Sequence, residues 1–144
     1  MNAQDLMLGD LVTFKDCQQD FAPVIIRIWQ INGADEAFAR INGSDALDEI
    51  AIDDEIVGIP ITLRILRENL PFLYSSVPGG TKEEQARKRV ETFEVNFGKM
   101  QNALNYYIES GEVELTAIRG VRFKYLHELQ HAFRILGIEL EVKL

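Results

Sequence analysis

The clearest signal in the chain is apolar–polar alternation with a period of two. Phe93, Val95 and Phe97 alternate with Glu94 and Asn96. Leu104, Tyr106 and Ile108 alternate with Asn105, Tyr107 and Glu109, and Val113, Leu115 and Ala117 with Glu112, Glu114 and Thr116. Such alternation marks strands with one face buried and one wet. Gly98-Lys99, Ser110-Gly111 and Arg119-Gly120 separate these runs and turn the chain. The N-terminal half reads as shorter strands. Gly9-Asp10 turns into Leu11–Phe14, and Pro23 opens Val24–Ile31, on which Arg27 shares a face with Ile25 and Trp29. Asn32-Gly33 is a hairpin signal leading to Ala37–Ile41, which a second Asn42-Gly43 closes. Glu49–Ile52 and Glu55–Ile59 flank Asp53-Asp54 as a further short hairpin. Short strands this closely spaced predict a small SH3-like antiparallel barrel.

Helical periodicity appears in two places. Thr62 is an N-cap, Leu63, Leu66 and Leu70 share a face, and Pro71 ends the run. Near the C-terminus, Leu126, Leu129, Phe133 and Leu136 form one apolar stripe, and Gly137 is the natural stop. Ile138, Leu140 and Val142 then alternate as a last strand. Phe72–Val77 reads as a strand entering the second half. Pro78-Gly79-Gly80 is a linker or loop signal, and Thr81 with Glu84 makes a capping box for a segment through Arg89 that reads as a short exposed helix or a mobile excursion. The expected fold class is α+β. A barrel with a short closing helix occupies residues 1–70. An antiparallel sheet covered by the C-terminal helix occupies 71–144, as a separate unit or as part of one compact body.

Composition adds bounds. The chain has 144 residues, 47% of them hydrophobic, enough for a core without disulfides. The single Cys17 excludes an internal disulfide and fits a reducing compartment. Met1–Asp5 lacks the features of a signal peptide, and no apolar run reaches membrane-spanning length, so the expectation is a cytoplasmic protein without membrane contact. Residues 1–70 hold 13 acids against 5 bases, whereas residues 71–144 hold 10 of each. An acidic N-terminal half repels phosphate backbones, which argues against nucleic acid as a partner. The bases that would serve such a partner are Arg87, Lys88, Arg89, Arg119, Arg122 and Lys124. The acids from Asp45 to Glu55 lack the ligand spacing of a calcium loop and read as solvated turns.

One motif carries chemistry. His127-Glu128-Leu129-Gln130-His131 matches H-E-x-x-H, in which two imidazoles one helical turn apart grip Zn²⁺ and the intervening Glu acts as general base on the metal-bound water. On that alternative the protein is a small zinc hydrolase with His127 and His131 as ligands and Glu128 as its catalytic base. Against it, the acids after His131 are only Glu139 and Glu141, and there is no third His. The histidines also fall roughly 160° from the middle of the apolar stripe. If that stripe seals the second sheet, both rings face water. The favoured reading therefore assigns no catalytic residue, metal or cofactor.

Three segments carry a resemblance. Leu6-x-x-Gly9-Asp10-x-Val12, Gly58-Ile59-Pro60-Ile61-Thr62-x-x-Ile65-Leu66 and Lys124-Tyr125-Leu126-His127-Glu128-Leu129-Gln130 resemble a group of small uncharacterised proteins of gut bacteria and their prophages. The pattern covers both ends and leaves about residues 72–110 unmatched. No activity is assigned to that group, so the resemblance implies a prophage or mobile-element origin and transfers no catalytic residue. Its members often place Asn where His131 stands, and Asn is a poor zinc ligand. The resemblance thus implies that His127 to Gln130 serve to place the helix. The function expected is that of a non-enzymatic binding or structural module whose partner is another protein or a second copy of itself, with the loops near Asn32 and Asn42 as the generic contact surface.

Overall fold

The computed structural model describes residues 1, 3–17, 24–73, 90–97, 100–138 and 140–144. The fold is α+β, with two antiparallel five-stranded sheets and two α-helices among these residues. The chain divides into two compact units. One is Met1–Pro60 with Tyr125–Ala132, and the other is Ile61–Lys124 with Phe133–Leu144. This differs from the 1–70 and 71–144 division read from the sequence.

In the first unit, β1 (Leu11–Phe14), β2 (Ile26–Asn32), β3 (Glu36–Ile41), β4 (Asp48–Ala51) and β5 (Ile56–Gly58) assemble in the order β4-β3-β2-β1-β5. The Asn-Gly turns work as their sequences require. Gly33 has φ +72°, and Asn42 and Gly43 both lie at positive φ, 52° and 73°. Inward-facing Val12, Ile26, Ile28, Ala37, Ala39, Ile50 and Ile56 form the core with Leu6 and Ile52. The Glu49–Ile52 and Glu55–Ile59 runs do not form the expected hairpin. β4 pairs with β3, while β5 crosses to the far side and pairs with β1. At the corner, Asp53 Oδ1 accepts from Glu55 N–H at 2.9 Å. Among the described residues no ladder joins β4 to β5, so the sheet is open there.

In the second unit, α1 (Leu63–Asn69) is capped by Thr62, whose hydroxyl accepts from Ile65 N–H at 3.2 Å. The strands β6 (Phe72–Leu73), β7 (Val90–Phe97), β8 (Met100–Tyr107), β9 (Glu112–Leu115) and β10 (Arg122–Phe123) form a meander in the order β10-β9-β8-β7-β6. The alternation holds, because Phe93, Val95, Leu104, Tyr106, Val113 and Leu115 are all buried. Ile138–Val142 is not a strand among its described residues. Its neighbour Lys143 is held by the Asn69 side-chain amide, which accepts from Lys143 N–H at 2.8 Å and donates to Lys143 C=O at 3.2 Å. A side chain supplies the bonds that a neighbouring strand would have given. The rest of the Phe72–Val77 run, the Thr81–Glu84 cap and the Arg87–Arg89 cluster lie outside the described residues. No helix is long and apolar enough to cross a membrane among the described residues.

The final helix, α2 (Leu126–Ile135), ends in a Schellman pattern. Ile138 N–H bonds to Phe133 C=O at 2.8 Å and Gly137 N–H to Arg134 C=O at 3.0 Å, with Gly137 at φ +80°.

Candidate functional site

In the first unit the three motif segments meet. Met7-Leu8-Gly9-Asp10 is a tight turn with Gly9 at φ +87°, and Asp10 is fully buried. Its carboxylate Oδ2 accepts from Met7 N–H at 2.7 Å and lies 2.6 Å from His131 Nε2. One residue earlier on α2, the Gln130 amide spans the same segment. Its Oε1 accepts from Leu11 N–H at 2.9 Å, and its Nε2 donates to Gly9 C=O at 3.2 Å. A primary amide presents one donor and one acceptor side by side, so Gln130 mimics the peptide group of a neighbouring strand at the start of β1. Gly58 closes the third side. Ile59 C=O accepts from Leu126 N–H at 2.8 Å, and Pro60 bridges to Tyr125.

Gly58 is required by space rather than by backbone angle. A Cβ there would lie 2.6 Å from Tyr125 Cγ and 2.8 Å from His127 Cε1. The close approach lets the His127 ring stack on Tyr125, with centroids 6.1 Å apart and planes at 17°. The same ring meets His131 edge-on at 5.8 Å. His127 is only 7% exposed, and its Nδ1 is buried without a hydrogen-bond partner. Burial holds this imidazole below its usual pKa. The carboxylates of Asp10, Glu128 and Asp5 pull the other way, and His131 adds to the depression.

The sequence expectation for this helix is therefore corrected. His127 is buried and His131, though partly exposed, is turned onto Asp10, and residues Tyr125–Ala132 belong to the first unit. Leu126, Leu129, Ala132 and Phe133 are buried, but so are His127 and Gln130. At 100° per residue these positions cover an arc of about 220°, wider than the apolar stripe alone. The polar letters at its flank are buried because each fits a specific neighbour, which an amphipathic pattern does not reveal.

Glu128 also has a structural task. Tyr125 stands at the N-cap, and its N–H donates to Glu128 Oε1 at 3.1 Å, half of a capping box. Each polar residue placed by H-E-x-x-H thus has an internal role: Glu128 caps, His131 holds Asp10, and His127 packs on Gly58. A hollow of about 750 Å³ borders the cluster, lined among others by Asp5, Lys15, Tyr125, His127, Glu128 and His131. Among the described residues no group of three His, Cys, Asp or Glu side chains is arranged to hold a metal ion. As placed, His131 Nε2 lies on the Asp10 carboxylate and Glu128 Oε1 on the Tyr125 amide.

Elsewhere, Tyr106 is buried, while Tyr107 carries Arg122 over its ring at 4.0 Å, so the two tyrosines point to different environments. The residue missed in the sequence is Asp10. Nothing in its Gly-Asp turn signals a partner 121 positions away. No known family model, curated protein or solved structure matches this chain.

Proposed function

We propose that the chain is a non-enzymatic binding module whose first unit is of the SH3-like class and whose partner is another protein or a second copy of itself. The strand order β4-β3-β2-β1-β5, with β5 returning beside β1, supports the SH3-like assignment, although the sheet is open. One observation carries the functional reading: the polar side chains that a hydrolase would turn to substrate are bonded inward. His131 lies 2.6 Å from Asp10, and Glu128 accepts from Tyr125 N–H. In this reading the HELQH segment is a latch that fastens the helix to the first sheet, and recognition belongs to the exposed surface.

Affinity capture from the native host, with metal analysis of the same preparation, tests this. The module reading expects one partner at stoichiometric ratio, or a concentration-dependent dimer, with zinc well below one ion per chain. A monomer that captures nothing but retains one zinc per chain, lost on His131→Ala, would support the hydrolase instead.

A further inference from the structure

The outer face of the first sheet carries a second constellation, distant in sequence from the latch. Ile26 and Ile28 are fully buried, so Arg27 projects from the opposite face of β2. The register sets Arg27 directly across from Arg40 on β3. The ladder then shifts between Ile28 and Gln30, leaving Trp29 at a bulge. Trp29 is 48% exposed, and Arg40 Cζ lies 4.2 Å from its ring centroid. The ion pairs Arg64–Glu68, Arg67–Glu91 and His131–Asp10, found among the described residues, do not involve Arg27 or Arg40. Arg40 Nε is buried with no hydrogen-bond partner.

This arrangement is unfavourable by itself. Like charges directly opposite in an antiparallel pair repel, and a buried guanidinium N–H without an acceptor is costly. Residues 1–60 contain only Lys15, Arg27 and Arg40 as bases, against 12 acids, so two of the three cations stand face to face beside the chain's single Trp. A carboxylate laid between the guanidinium groups would offset their repulsion, and the exposed indole would take an adjoining apolar side chain.

We infer that this Arg27–Trp29–Arg40 face docks a short acidic segment of a partner protein, one or two carboxylates beside an apolar residue. A nucleic-acid strand fits less well. It needs a run of cations, whereas Glu49 stands on this same face across from Phe38. The inference rests on the binding-module reading and names the surface and the partner's chemistry.

The single Trp29 reports on the site directly. Full-length protein is titrated at low salt with a short synthetic peptide of alternating Glu and Ser around a central Leu. The controls are its Gln-for-Glu counterpart and oligo(dT). The expected result is a saturable change in tryptophan fluorescence with the acidic peptide, weakened about tenfold by Arg27→Gln. Arg40 is the guanidinium over the indole, so replacing Arg27 leaves that contact with the reporter in place. No saturable change, equal binding of the Gln peptide, an unaffected Arg27→Gln chain or tighter binding of oligo(dT) each overturns the inference. Host capture separates the two claims: a partner retained equally by Arg27→Gln leaves the module reading standing and removes this surface.

Discussion

Gly58 and His127 show how little room the first unit leaves at its centre. A Cβ at Gly58 would overlap Tyr125 Cβ and Cγ, atoms next to the backbone that cannot swing away. Gly58→Ala should therefore destabilise by about 1–3 kcal/mol, as overpacking does, read as a lower urea midpoint. His127 sets a pH dependence. Its folded pKa lies below the unfolded value of about 6.5, so in acid the unfolded chain takes up a proton more readily than the folded one. The stability tied to a neutral His127 is thus present above that pH and is lost as pH falls through the unfolded pKa towards the folded one. Urea midpoints measured across this range should fall with acidification, and His127→Gln should flatten that part of the profile. His131 is a donor to a buried carboxylate. His131→Ala should cost about 1–3 kcal/mol, whereas His131→Asn, which still offers an N–H, should cost distinctly less. A zinc ligand would not be rescued by Asn.

At the level of elements, what was legible in the sequence divides by range. The strands from β7 to β9 were plain because Phe93, Leu104 and Val113 each repeat the same two-residue rhythm, and one buried face suffices to produce it. The Asn42-Gly43 turn, the Thr62 cap and the Gly137 stop were legible because their chemistry is local. The partner of β5 was not, since nothing in Ile56–Gly58 states that it bonds to Val12–Phe14 rather than to its neighbour β4. The roll of α2 is hidden from the sequence for a related reason. Gln130 and His127 look like surface letters until the backbone of Gly9–Leu11 and the gap at Gly58 are known to lie against them. Gln130→Leu should test that docking. It orphans Leu11 N–H and Gly9 C=O together, and should cost about 2 kcal/mol and speed hydrogen exchange at the Leu11 amide.

For the whole molecule, residues near 10, 58 and 130, far apart in the sequence, converge in the first unit. The acid excess sits in the N-terminal half, which leaves the Arg27–Arg40 pair as an isolated cationic patch. The claim on which the rest depends is that the HELQH helix fastens the first unit through Asp10. A double-mutant cycle of Asp10→Ala and His131→Ala, followed by urea unfolding in the presence of a chelator, measures that fastening directly. The account predicts a coupling of about 1–3 kcal/mol that the chelator leaves unchanged. Additive single effects, or a coupling that appears only when zinc is supplied, would contradict it.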